Sequence, residues 1–122
     1  EYSFAVANGL GVANVINPAG NAIAPSSTEG MLAAFSVAKY NNGIVTFDYT
    51  NTLAGQYPFP ATTYAMVLPK YSSAALASAV KDWINFHAFN CPALASGTGF
   101  GVTTKTSDFG KQINALVAKI GS

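Results

Sequence analysis

An uncharged run of β-branched and aromatic residues constrains the fold of this chain more than any other stretch. Residues 62–68 read TTYAMVL, with no charge and no glycine, and they lie between Pro60 and Pro69. Such side chains favour strands, and proline tends to end them. A strand that is apolar on both faces is typical of a sheet covered by helices on both sides. We therefore predict a buried strand at residues 62–68.

The residues that follow predict an amphipathic helix. Ser72 or Ser73 can accept hydrogen bonds from the first free N–H groups of this helix. Helical spacing then places a set of larger side chains on one face, namely Leu76, Val80, Trp83, Ile84 and His87. We expect Trp83 to be a core anchor of this face.

The end of the chain predicts a second amphipathic helix, capped within residues 104–108. Its apolar residues repeat the same spacing and are Phe109, Ile113, Leu116, Val117 and Ile120.

The first half of the chain predicts short elements separated by turns. Residues 2–8 form a short apolar segment that Asn8-Gly9 ends, and a hairpin is expected from residues 11–16 and 21–24 around the turn signal at residues 17–20. Hydroxyl caps and an early acid at residues 25–29 predict a helix that runs to about Lys39. Three of its residues should face inward: Met31, Leu32 and Phe35. Residues 40–43 should end this helix, and residues 44–49 are either irregular or a short strand.

Composition excludes several classes of protein. The chain has 122 residues, of which 50% are hydrophobic and 9% are charged, and all six basic residues are lysine. A net charge of +1 gives no basic patch for nucleic acid. The uncharged residues 8–28 are interrupted by Pro18, Gly20 and Pro25, so they are not a membrane span. No basic leader or lipobox-like cysteine opens the chain, and we expect no targeting signal.

Few residues are candidates for chemistry. His87 is the single histidine and is expected to be packed on its helix. Cys91 lies four residues further on, and the two side chains together would make a weak metal site at most. Cys91 is expected to be a small buried hydrophobe or free thiol, or alternatively to form a disulfide with another segment. Asp82 and Asp108 look like solvated helix positions. We expect no catalytic residue, no metal site and no cofactor, and so no enzyme.

A glycine-rich stretch at residues 95–101 invites a phosphate-binding interpretation. Ser96 and Thr98 could add donors to backbone N–H groups there. The stretch lacks the GK[ST] ending of a P-loop, and no strand precedes it. We favour an ordinary loop over an anion site.

An ordered set of motifs nevertheless resembles a known family. YPFPATTYAMVLPK with AVKDWINF, the opening EYSFA, NPAGNAIAP at residues 17–25 and GFGV at residues 99–102 are similar to segments of PstS-type phosphate-binding proteins. These proteins are the substrate-binding subunits of phosphate ABC transporters. The resemblance covers nearly the whole chain, but only the C-terminal part of the family.

This resemblance implies the C-terminal portion of a two-lobed, type II periplasmic-binding-protein fold of the α/β class, with a mixed sheet and flanking helices. Residues 1–57 would end lobe two, with a short helix at residues 2–8, and residues 58–122 would supply the crossing strand and the last helices of lobe one. The family's anion motif, in which Arg and Asp precede Ser-Gly-Thr, has no counterpart here. We therefore assign no ligand-binding residue, although Thr62 or Thr63 could line the cleft between lobes.

Two functions follow as expectations. The first is a phosphate-binding protein of an ABC uptake system, which would bind phosphate through segments upstream and would contact the permease. The second is a self-associating extracellular structural or filament protein derived from this fold. Either the remainder of its own protein or further copies would then be the partner. Both place the chain outside the cell or in the periplasm, and neither involves nucleic acid.

Overall fold

The computed structural model describes residues 2–91 and 103–122 and has a mixed α/β composition. Its elements follow in the order α1 (Tyr2–Ala7), β1 (Val15–Ile16), β2 (Ala22–Ile23), α2 (Thr28–Ser36), β3 (Lys39–Asn41), β4 (Ile44–Thr46), α3 (Ala74–Phe89) and α4 (Asp108–Val117). The α/β class predicted from the sequence is confirmed. The described strands form two antiparallel two-stranded sheets, β1 with β2 and β3 with β4.

The predicted first hairpin is confirmed, although it is shorter than expected. Val15 pairs with Ile23, and Ile16 pairs with Ala22. Gly20 has a φ of 83° in the connecting turn, a conformation that side chains other than glycine rarely adopt. The predicted opening helix is also present as α1.

A second hairpin replaces the predicted end of the second helix. The prediction of a helix to Lys39 was wrong, because α2 ends at Ser36 and Lys39 already pairs with Thr46 in the β3–β4 hairpin. Asn42 and Gly43 both have positive φ, 47° and 87°, as a two-residue hairpin turn of type I′ requires. The short strand that we allowed at residues 44–49 is β4.

Serine caps the start of all three longer helices, as the sequence predicted. The hydroxyls of Ser27, Ser73 and Ser107 each accept a hydrogen bond from the backbone N–H three residues on, at 2.9 Å, 3.2 Å and 3.0 Å. Each cap satisfies one of the N–H groups that a helix start leaves without a partner.

The buried core of the described residues is small. Helix α4 packs on both α2 and α3, and the buried apolar side chains are Ala34, Ala77, Val117 and Ile120. The predicted inward face of α4 is thus confirmed at its C-terminal end. The prediction that Trp83 is a core anchor was wrong, because its side chain is 51% exposed.

The prediction of a buried strand at residues 62–68 was also wrong. These residues belong to no sheet, and Met66 is 97% exposed. The physical reason lies in the neighbours: each described hairpin pairs only with itself, so no described strand lies beside this segment. Backbone hydrogen bonds hold the residues just after the segment, where the N–H groups of Tyr71 and Gly121 donate to the carbonyls of Gly121 and Pro69, both at 2.9 Å. Within the segment, the hydroxyl of Tyr64 accepts a hydrogen bond from the N–H of Val45 in β4 at 3.2 Å.

None of the helices in the described ranges combines the length and the apolar character needed to cross a bilayer.

Candidate functional site

The described residues form an open apolar groove of about 620 Å³. It lies between the 62–68 segment and helices α2, α3 and α4. The side chains that line it come from all four and include Met31, Leu32, Phe35, Tyr64, Ala65, Val67, Trp83, Ile84, His87, Phe109, Ile113, Leu116, Val117 and Ile120. The two apolar helix faces predicted from the sequence therefore meet here, but they do not close on each other.

The 62–68 segment borders this groove along most of its length. Residues 62–65 and Val67 line it, whereas Met66 and Leu68 do not and are largely exposed. The segment therefore supplies one side of the groove, while the side chains near its end lie open to solvent.

The groove offers little to an anion. Among the described residues, no lysine or acidic side chain lines it, and the polar side-chain groups are hydroxyls, the ring of His87, the indole N–H of Trp83 and the amide of Gln112. Tyr40 is representative, since its hydroxyl donates to the carbonyl of Phe35. Burial, with a smaller contribution from the negative charge of Asp108, raises the pKa of Tyr40. A buried phosphate requires several directed donors and benefits from a guanidinium, which this chain lacks.

Thr62 and Thr63, our candidates for a cleft between lobes, both border the groove. The hydroxyl of Thr62 donates to the carbonyl of Thr63 at 3.2 Å, so this donor is engaged locally.

His87 and Cys91 do not form a metal site. The imidazole of His87 is exposed, and its Nδ1 lies 3.0 Å from the carbonyl oxygen of Trp83. Helix α3 ends at Phe89, so Cys91, which is half-buried, does not continue the helical face that carries His87. Within residues 2–91 and 103–122, no group of three or more potential metal ligands comes together.

The remaining candidates from the sequence are either exposed or outside the described residues. Asp82 and Asp108 are solvated as predicted, and Asp108 forms an exposed ion pair with Lys111 at 3.0 Å. The glycine-rich stretch at residues 95–101, with Ser96 and Thr98, lies outside the residues that the structure describes.

One polar cluster was missed by the sequence analysis. Asn17 is 3% exposed, and its Nδ2 donates to the carbonyls of Ala54 and Gln56 at 2.8 Å and 3.0 Å. Its Oδ1 accepts from the N–H groups of Ala19 and Asn21 at 3.1 Å and 2.9 Å. The asparagine at the first position of the turn signal could have suggested the local bonds, but no sequence pattern indicates the bonds across the chain.

Gln56 completes this cluster and is fully buried. Its Nε2 donates to the carbonyl of Asp48 at 2.9 Å, while its Oε1 has no partner among the described residues. The Asn17–Gln56 cluster therefore ties the first hairpin to the loop after β4, and its role is structural.

Comparison with known proteins gave no match: no family model fits this chain, and neither a curated protein nor a solved structure is significantly similar to it.

Proposed function

We propose that this chain is the C-terminal part of a phosphate-binding protein of an ABC uptake system, with a two-lobed type II periplasmic-binding fold. The ordered motifs of the sequence are the basis of the proposal. The structural observation that supports it best is the 62–68 segment, which is apolar yet pairs with no described strand. A piece of a larger α/β sheet would present such a segment, because its neighbouring strands would come from elsewhere in the protein.

In this proposal the 122 residues bind no phosphate by themselves. The described groove is apolar and uncharged, so the anion would be held by segments upstream, and the permease would be the partner of the whole protein. Residues 1–57 would end lobe two, and residues 58–122 would contribute to lobe one. The role is binding and delivery outside the cell or in the periplasm, without catalysis or a cofactor.

Isothermal titration with inorganic phosphate tests this proposal at two chain lengths. We expect no binding tighter than millimolar for the 122-residue chain, and micromolar or tighter binding for the polypeptide that its gene encodes in full. The absence of phosphate binding by the full polypeptide would contradict the proposed function. Tight binding with defined stoichiometry by the 122 residues alone would show that an anion site is present in them after all.

The same unpaired segment favours a second candidate function, a self-associating extracellular structural protein. The mass of the intact polypeptide separates the two candidates. A mass near 12.6 kDa, combined with self-association on light scattering, would favour the structural protein. A two-lobed protein requires roughly 200 further residues, by the usual size of a domain.

A further inference from the structure

Asparagine precedes glycine twice in the sequence, at Asn8-Gly9 and at Asn42-Gly43. This dipeptide is prone to deamidation, because glycine has no side chain that hinders attack by its own backbone nitrogen on the asparagine side chain. The attack requires a backbone nitrogen that can lose its proton and a side-chain amide that is free to react. The hydrogen bonds around the two dipeptides therefore decide which of them is reactive in the folded chain.

At Asn8-Gly9 both reacting groups are engaged. The N–H of Gly9 donates to the carbonyl of Val6 at 3.1 Å, and Nδ2 of Asn8 donates to the carbonyl of Phe4 at 2.9 Å. The first bond retains the proton that the nitrogen must lose, and the second holds the side chain against the end of α1. We therefore expect this dipeptide to react slowly while the chain is folded.

At Asn42-Gly43 the same two groups have no hydrogen-bond partner within the described part of the chain. The neighbouring pair of the ladder joins Asn41 to Ile44, and neither the N–H of Gly43 nor the side chain of Asn42 takes part in a further bond there. Asn42 is also exposed at the tip of the hairpin. Solvent therefore reaches both reacting groups.

The β3–β4 hairpin can also open far enough for the reaction. Ring closure requires rotation about the Cα–C bond of Asn42, so the turn has to leave its native conformation transiently. The hairpin pairs over three residues only, and it forms no ladder with another described strand. An isolated two-stranded hairpin is marginally stable in water, and such elements open locally without global unfolding.

We propose that Asn42 is a site of spontaneous deamidation, where the Asn42-Gly43 peptide converts to an aspartyl or isoaspartyl link. The nitrogen of Gly43 loses its proton and attacks Cγ of Asn42. The Cγ–Nδ2 bond then breaks and ammonia leaves, which produces a five-membered succinimide. One water molecule opens this ring, either at Cγ to give aspartate or at the backbone carbonyl carbon to give isoaspartate.

The reaction consumes water, releases ammonia and requires no oxidant or reductant. The inference goes beyond the proposed function, because it depends neither on phosphate nor on a second lobe.

The isoaspartyl product should disturb a turn on which other contacts depend. Gly43 lies against α4, where a β-carbon on this residue would stand 3.2 Å from Cδ1 of Leu116. An isoaspartyl link adds one methylene to the backbone, and a two-residue type I′ turn has no place for it. The pairing of Tyr40 with Val45, and with it the contact of the Tyr40 ring with Phe109, should therefore loosen. Deamidation of Asn42 is thus a slow, irreversible switch of the β3–β4 hairpin.

Incubation of the 122-residue chain at pH 8 and 37 °C in ¹⁸O-labelled water, followed by peptide mapping with mass spectrometry, tests the site. The folded chain is compared with the chain unfolded in guanidinium chloride. We expect Asn42 to convert at least tenfold faster than Asn8 in the folded chain. The two rates should become similar in guanidinium chloride, where the hydrogen bonds of α1 are lost. The product at position 42 should be a mixture of aspartate and isoaspartate that carries oxygen from the water.

Three results would overturn the proposal. The first is conversion of Asn42 that is no faster than that of Asn8 in the folded chain. The second is aspartate as the sole product, because direct hydrolysis of the side-chain amide forms no isoaspartate. The third is a tenfold difference that persists in guanidinium chloride, because the flanking sequence rather than the hydrogen bonds would then select the site.

Two variants separate the modification from its effect on the hairpin. Asn42→Gly creates a dipeptide that type I′ turns accept, so the fold should be retained and conversion should remain at Asn8 only. Asn42→Asp reproduces the aspartyl product in a dipeptide that these turns also accept, and its amide hydrogen exchange across residues 39–46 should match that of the wild type. The purified isoaspartyl form should exchange at least tenfold faster across these residues. Equal exchange in the aspartyl and isoaspartyl forms would contradict the switch.

Discussion

The ring of Phe35 on α2 stacks on the ring of Phe109 on α4, with ring centroids 4.4 Å apart and an angle of 27° between the ring planes. Phe47 contacts Phe35 edge-on at 5.0 Å, and Tyr40 lies 5.9 Å from Phe109. This aromatic cluster joins residues that are far apart in sequence and forms one wall of the groove. Contact between α2 and the last helix therefore depends on it.

A double-mutant cycle should show that Phe35 and Phe109 act together. Stacked aromatic pairs contribute about 0.5–1.5 kcal/mol beyond the area that they bury. We expect Phe35→Ala and Phe109→Ala to be non-additive by that amount when the free energy of unfolding is measured with urea. Phe4→Ala, on the exposed side of α1, is the control and should be additive with Phe109→Ala. Full additivity of the first pair would contradict the observed stacking.

Asn17 should be a strong determinant of stability although it lies in a turn. Asn17→Ala removes the donors to Ala54 and Gln56 and the acceptor for two turn amides, so we expect a loss of about 2–4 kcal/mol. Asn21→Ala is the matched control in the same turn, because the Asn21 side chain is exposed, and it should cost less than about 0.5 kcal/mol. Similar losses in chemical denaturation for both variants would argue against the cluster.

The substitution Trp83→Ala should destabilise the fold less than the size of the tryptophan side chain suggests. If Trp83 were fully buried, this substitution would lower the free energy of unfolding by about 3–5 kcal/mol. Because the side chain is half-exposed, we expect a decrease of only about 1–2 kcal/mol. Ile120→Ala, at a buried position, should cost more, about 2–5 kcal/mol. A thermal or urea unfolding series that ranks Trp83→Ala above Ile120→Ala would mean that the groove is closed in solution.

Stability should fall in alkaline solution partly through Tyr40. Burial, and secondarily Asp108, raise the pKa of Tyr40 in the folded chain. The unfolded chain then loses the phenolic proton first, so this contribution is complete below the unfolded pKa of about 10 and is lost as pH rises through the folded pKa. The free energy of unfolding should decline less steeply between pH 9 and 11 in Tyr40→Phe than in the wild type. Tyr49→Phe, whose ring is 55% exposed, is the control and should follow the wild type.

Local signals in the sequence predicted most of the secondary structure. Hydroxyl residues within 25–29, 72–73 and 104–108 indicated where helices begin, because capping depends only on the first turn. The β3–β4 hairpin was missed although Asn42-Gly43 carries the appropriate turn signal, because the helix was extended to about Lys39 and residues 40–43 were interpreted as its end. Burial was predicted less well, since the exposure of Trp83 and of the 62–68 segment depends on which elements lie beside them.

For the candidate site too, local spacing predicted the apolar faces but not what lies beside them. The apolar stripes of α3 and α4 could be predicted from residue spacing alone. The openness of these surfaces could not be predicted in this way. Residue spacing shows which face is apolar, but it does not show whether the chain supplies a partner for that face. The Asn17–Gln56 bond spans 39 residues, and no local rule indicates such a contact.

Amide hydrogen exchange on the isolated 122-residue chain tests most directly whether residues 62–68 lack a strand partner. We predict that the amides of residues 63–67 exchange nearly as fast as those of an unfolded peptide, while amides in α4 around Val117 are protected. Light scattering in the same solution establishes whether the chain is a monomer. Protection in residues 63–67 comparable to that of α4, in a well-folded 12.6 kDa monomer, would contradict the account, because the chain would then complete its own sheet.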